Sequence, residues 1–481
     1  MTQSKSGLRM KSAVFGLGLL AFASGLSSCS LSGSLPAEQT RPGSVPGDPE
    51  ARARQIRRGQ ANMQVDREGG LRRMRPSEEW QAIDLSAPEF DALHYRVSLS
   101  FPAVESQRFD GQVQLTFQPL RGDFQLLSLD SSGLEIRSVR LLNTFEELRF
   151  ETRDERLLID LGRAYSRADT LTVLVGYGWA RDPNRGIYYR SRDGVRGIET
   201  LYSQSEAEES KFWFPGYARP NDRATFESFI TVPEPYVAVS NGSLVGVESR
   251  SGRRTYPWSL ATPVVSYLFV VTAGKFAVHE DRWRGIGVQY YGYPDDMERL
   301  AYSLRNTPSM LSTLSDRIGL EYPYEKYAQA VVPQYQWGGM EHVTATTLTD
   351  RTLHGPDEDA EFSSEPLVSH ELAHQWFGDL ATCRSWDHIW LNEGFATFFE
   401  GYWTEHSRGR TAYLQELEDG AAWYFSEEDE DPRPVVFPYY RLNLDDYFDS
   451  RAYAKGAWVL HMLRTLLGEE AFFKGVRHYI H

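Results

Sequence analysis

Two histidines four residues apart, His370 and His374, sit in "SHELAHQWFGDL" with Glu371 directly after the first. On a helix, positions i and i+4 lie about 40° apart around the axis, so both imidazoles project from one face and can grip one ion. Glu371 lies about 100° further round, within reach of a water held by that ion. Leu372, Trp376 and Leu380 fall on the far side and predict the packed face of the helix. Pro366 suits a first helical turn and Ser364 an N-cap. A hydrolytic zinc site needs a third protein ligand and one open position. Glu393, in "WLNEGFATFFE", stands nineteen residues beyond His374 inside a second helical pattern. A helix returning beside the first brings that carboxylate to the same ion. The chemistry predicted is hydrolysis by water activated at one Zn2+ per chain, with Glu371 as general base.

The elements that must hold this centre read in a clear order. The chain has 481 residues, 41% of them hydrophobic, with 26 Tyr and 25 Phe. That length and composition support more than one domain, each with its own core. From 86 to 280 the texture is β. Tyr95, Val97, Leu99 and Phe101 alternate with Arg96, Ser98 and Ser100, and Val113, Leu115 and Phe117 repeat the pattern. Period-two alternation predicts antiparallel sheets with one wet face. From 281 to 481 the period turns helical, with "DMERLAYSLRNTPSMLSTLSDRIG" read as helix, a brief strand at "EYPYEKYAQAVVPQ", and helices from Glu365 onward.

The formal charge is −15, which disfavours nucleic acid as a partner. Residues 1–80 carry 12 Lys/Arg against 7 Asp/Glu, leaving −20 on the remainder. Lys5, Arg9 and Lys11 precede an apolar run, Ala13–Leu26, too short for a confident span. "LSSC", ending at Cys29, resembles a bacterial lipobox, which implies a signal peptide over 1–28 and lipidation of Cys29. Ser30 after it resembles lipoproteins destined for the outer membrane. Residues 29–85, rich in Ser, Pro, Gly, Gln and Arg, read as a flexible tether. Cys383 is the other cysteine and reads as a buried packing thiol.

"HELAHQWFGDL" with "WLNEGFATFFE" resembles the aminopeptidase N family of gluzincin metallopeptidases, from about residue 86 to the end. Three stretches join it in order: "SQSEAEESKFWFPGYARPNDRATF", "QWGGMEH" and "YAKGAWVLHMLR". The resemblance implies an antiparallel β saddle or sandwich followed by a thermolysin-like α/β catalytic domain, together an α+β multidomain chain. It implies that Glu341 pairs the free amino group of a peptide, with Gln204 and Glu206 completing the pocket. Gly338, Gly339 and Met340 become a backbone edge along which substrate lies, and Tyr453 the donor to the oxyanion. Asp379 and Asn392 are candidates to orient the ligands. His342 stands where the family carries Asn. Family members normally continue with further helices, so the resemblance also reads the catalytic domain as lacking its C-terminal part. Other readings are an inactive binding lipoprotein that keeps the fold, or an epoxide hydrolase, which one branch of the family is.

Overall fold

The computed structural model describes residues 81–179, 185–192, 194, 197–358, 362–429, 431–441 and 443–481. The expected signal peptide, Cys29 and most of the 29–85 tether lie outside the described residues. The described chain opens on a strand, Gln81–Ala82, paired antiparallel with Tyr439–Tyr440. This lies inside the stretch read as tether. Backbone pairing holds it rather than its own apolar content.

Among the described residues, the first half is built on a nine-stranded sheet with smaller four- and three-stranded sheets beside it. Its centre is the strand Phe90–Ser100, antiparallel to Asp110–Pro119 and parallel to Ala224–Pro233. Alternation sets the faces as predicted. Tyr95, Val97, Leu99 and Phe101 are buried, while Arg96 is exposed. Phe124 from the three-stranded sheet packs edge-on against Phe90 and Phe117, closing the core between sheets.

The second half has a five-stranded sheet in the order 277–283, 286–292, 326–332, 345–349 and 339–340. The boundary read at 280 falls inside the first of these strands, Ala277–Trp283. Its partner, 286–292, pairs in turn with 326–332, and that pairing across the sequence is not visible in the strand's own residues. The helix read over 296–319 is two, α1 (Met297–Ser303) and α2 (Thr307–Ile318). Pro308 in the first turn of α2 has no N–H to continue a single helix. Then come α3 (Glu365–Ala373), α4 (Trp390–Arg408), α5 (Arg410–Glu428), α6 (Gly456–Leu467) and α7 (Glu469–Ile480). No helix of the described residues is long and apolar enough to cross a membrane.

Two buried polar links tie the halves. Asn241 Nδ2 donates to Leu268 O and to Val343 O. Lys326 Nζ donates to Ser240 O and Thr344 O, a buried cation held by carbonyl dipoles.

Candidate active site

α3 starts at Glu365 with Pro366 in its first turn, but Ser364 does not cap it. Its hydroxyl donates to Ser303 O instead, so tertiary packing takes the side chain that the cap expectation claimed. On the far face Leu372 is fully buried as predicted, but α3 ends at Ala373, so Trp376, fully buried, and Leu380, half-buried, lie beyond it. The near face presents His370, Glu371 and His374, all at most 9% exposed.

α4 returns beside α3 and delivers Glu393. His370 Nε2 and His374 Nε2 lie 3.1 Å apart, and each lies 3.3 Å from Glu393 Oε2. Three tetrahedral ligands at bond lengths of about 2.0–2.2 Å stand roughly 3.3–3.5 Å apart, close to the spacing found. The tautomers agree. His370 Nδ1 faces Glu400 Oε2 at 3.0 Å, and His374 Nδ1 faces Phe377 O at 3.0 Å. With each Nδ1–H donated outward, both Nε2 lone pairs point at the Glu393 oxygen. Three lone pairs converging in a buried space require a cation. His370, His374 and Glu393 therefore fit a zinc ion.

The electrostatics of the side chains say the same. Burial opposes charge on the imidazoles, but Glu393 and Glu400 outweigh it at His370, which is pushed well above its ordinary value. Glu341 and Glu393 carry His374 up to about 9 against the same burial. Burial raises Glu341, and it pushes Glu371 up to about 8 despite the two histidines. Glu393 is held low because His374 and His370 together outweigh its burial. Four carboxylates surround two imidazoles, and the excess negative charge draws in protons where no dication compensates it.

Glycines allow the close approaches. A Cβ on Gly339 would meet Glu371 Oε1 at 2.1 Å, so the strand edge passes directly over the carboxylate. Gly394, next to Glu393, meets Gly456 of the Tyr-x-Lys-Gly stretch. A Cβ on either would fall 2.8 Å from the other's Cα. This tight crossing brings the turn carrying Tyr453 over the metal ligands, and the Tyr453 ring stacks on His370 at 5.9 Å.

Gly339–Met340 forms a short edge strand antiparallel to Thr347–Leu348, and Gly338 O accepts from Thr349 N. Glu341 follows it, 3% exposed, with Oε1 3.8 Å from His374 Nδ1 and accepting no hydrogen bond. Gln204 reaches this loop from the β half: its Nε2 lies 3.3 Å from Met340 Sδ, and its Oε1 accepts from Tyr335 OH. Burial pushes the Tyr267 hydroxyl well above its ordinary value, and the charges of Glu341 and Glu206 add to the rise. His342 is fully buried and neutral, pushed down to about 3 by burial, with Nδ1 3.1 Å from Thr347 Oγ1.

The structure corrects the expectation for Asp379 and Asn392. Neither side chain touches a ligand imidazole. Asn392 accepts from Cys383 N and donates to Tyr267 OH, tying α4 to the β half. The groups that orient the ligands are Glu400 and the Phe377 carbonyl. Glu400 was legible in principle, since it stands seven residues after Glu393 on the same face of α4. Phe377 O, a backbone atom at the end of α3, left no signal.

A helix with paired histidines, a glutamate from the next helix and a buried carboxylate base define a zinc metallopeptidase built from a β-rich half and an α+β half. Known proteins agree. The model described as the peptidase family M1 domain matches residues 302–481, and that described as the peptidase M1 N-terminal domain matches 91–268. The chain is 26% identical over 413 residues to Aminopeptidase 2 of Candida albicans, covering 81% of this chain and 43% of that protein. It is 28% identical over 375 residues to Probable aminopeptidase 1 of Saccharolobus solfataricus, covering 75% and 46%. It thus spans less than half the length of these relatives. The crystal structure of an M1 zinc metallopeptidase from Deinococcus radiodurans superposes with a TM-score of 0.69 at 24% identity, covering 83% of this chain and 87% of that one. A point mutant of the Deinococcus radiodurans protein, bound to a Tyr-Ser-Ala substrate, gives 0.67 at 26%, covering 82% and 86%. The chain belongs to peptidase family M1.

Proposed function

We propose that this protein removes the N-terminal residue from peptides. The observation that carries this is Glu341: a buried carboxylate beside the metal cluster, directly after the edge strand of the five-stranded sheet, with an oxygen that accepts no hydrogen bond. A peptide laid along Gly338, Gly339 and Met340 places its free ammonium against that oxygen. An internal peptide has no charge to offer there. Gln204, whose side chain reaches Met340, and Glu206 are the further acceptors proposed for the amine. The relatives named aminopeptidases, and the neighbour bound to Tyr-Ser-Ala, support this reading.

Zinc at His370, His374 and Glu393 supplies a Lewis acid that polarises the scissile carbonyl and acidifies water. Glu371 takes the proton of the attacking water and passes it to the leaving amine. Tyr453 donates to the carbonyl oxygen as charge develops. Gly339, lacking a Cβ, leaves Glu371 room to face the substrate edge.

The test is turnover of an aminoacyl-arylamide with its amine free and with it acetylated. The free form is cleaved and the blocked form is not. Glu341→Gln loses the free substrate chiefly through KM. Equal cleavage of blocked and free forms by the parent would sink the assignment of Glu341.

For the amino terminus we propose export and lipid anchoring at Cys29, with 29–85 as a stand-off and the outer membrane as destination. The lipobox-like "LSSC" and the basic residues before it support this. Detergent phase partitioning checks it: the parent enters the detergent phase and Cys29→Ser stays aqueous.

A further inference from the structure

Tyr453 is held by a device on α5. The tyrosine lies within a π-helical stretch, Arg451–Lys455, that leads into α6. Besides His370, a second ring flanks it: the indole of Trp423, 6.1 Å away between centroids. Trp423 Nε1 donates to Glu427 Oε1 at 2.8 Å, one helical turn further along α5. The other oxygen of the same carboxylate, Glu427 Oε2, accepts from Ser450 N at 3.1 Å. One carboxylate thus fixes both the ring beside Tyr453 and the backbone three residues before it. A second tie follows immediately. Asp449 Oδ1 accepts from Arg451 N and Ala452 N, and Tyr453 N donates to Asp449 O. Lys455 Nζ donates to Tyr424 OH, next to Trp423, so both sides of the tyrosine are tied to α5.

We propose that Glu427, with Trp423, is a positioning residue that sets the angle at which the Tyr453 hydroxyl meets the developing oxyanion. This rests on the reading of Tyr453 as that donor. The two converging N–H groups each meet a different oxygen of the carboxylate. Glutamine offers one oxygen and turns an NH2 toward the other donor, so Glu427→Gln breaks one arm at nearly constant volume. An oxyanion donor acts only when aligned, and displacement of about 1 Å costs up to about 100-fold. The effect must fall on kcat, because the ground-state carbonyl and the amine pocket are untouched.

A double-mutant cycle tests this on the full chain: Glu427→Gln, Tyr453→Phe and the pair, each measured for kcat, KM, zinc content and Tm. Inhibition by a phosphinic dipeptide analogue, whose tetrahedral oxygen requires the donor, gives a readout independent of turnover. Glu427→Gln lowers kcat roughly 5–50-fold, leaves KM and zinc content near the parent, and weakens the phosphinate by a similar factor. In the Tyr453→Phe background the same change costs less than about twofold. Trp423→Leu, which keeps the Ser450 bond, reads the other arm should Glu427→Gln misfold. Equal losses in both backgrounds overturn the proposal, as does unchanged kcat in Glu427→Gln while Tyr453→Phe is impaired. Full activity in Tyr453→Phe overturns the oxyanion reading itself and removes the proposal with it.

Discussion

Two buried charged clusters occupy the catalytic half, and they are closed in opposite ways. In one, Asp449 Oδ2 takes Arg451 Nη1 at 2.7 Å and Arg433 Nη2 at 3.1 Å. Asp431 pairs with Arg433 and Arg441, and Glu428 lies 3.5 Å from Arg451 Nε. Guanidinium groups face every carboxylate named, although Glu428 Oε2 and Arg451 Nε stand opposite each other without a hydrogen bond. In the other, Glu341, Glu371, Glu393 and Glu400 surround only His370 and His374, and Glu341 Oε1 and Glu371 Oε2 accept no hydrogen bond. A cluster closed by arginine is finished when the chain folds, and it stiffens the turn before Tyr453. A cluster closed by imidazoles remains short of positive charge; a zinc ion fits it, and on the proposed function a substrate ammonium supplies the rest.

That contrast can be broken at several points. The largest effect is expected from Glu371→Gln. It removes the base from the open cluster while leaving the three ligands, so kcat falls about 10³-fold and metal analysis still finds one zinc per chain. Next is the closed cluster. Arg451→Met leaves Asp449 and Glu428 short of a partner in a buried place, and urea unfolding reports a loss of about 3 kcal/mol. Should that variant keep full stability, the two clusters do not differ as described.

Glu400→Gln is milder. It keeps an acceptor for His370 Nδ1 but loses the charge that sharpens the imidazole as a ligand. Zinc affinity, read by competition with a chelator, weakens roughly 10–100-fold. The smallest effect belongs to the β half. Burial pushes Asp222 up to about 7, although Ala92 N and Arg223 N donate to it and Asp91 adds to the rise. The folded state therefore binds more protons than the unfolded one between about pH 4 and 7. Stability falls as pH rises through that window, and the penalty is complete above it. Asp222→Asn removes the penalty, so its Tm relative to the parent is roughly 1–2 °C more favourable at pH 8 than at pH 5.

The spacing of His370 and His374, the alternation of Tyr95, Val97, Leu99 and Phe101, and the proline in the first turn of α3 were fixed by local geometry and could be read directly. A helix or strand imposes its period on side chains whatever surrounds it. Glu393 was reached from the need for a third ligand within a second helical pattern, and Tyr453 by motif, because the chain between Tyr453 and α3 carries no period that measures distance. What the sequence left open was decided by contacts between distant segments. Ser364 bonds Ser303 rather than its own helix. Asn392 anchors on Tyr267, and Glu400 takes the role assigned to it and Asp379. Gly394 meets Gly456, 62 residues later, and only that crossing explains why both positions lack a side chain. The sequence by itself determined which side chains were available for metal and proton chemistry. The tertiary structure decided which carboxylates were answered by arginine and which were left for a cation, because that depends on where helices cross and not on the order in which residues occur.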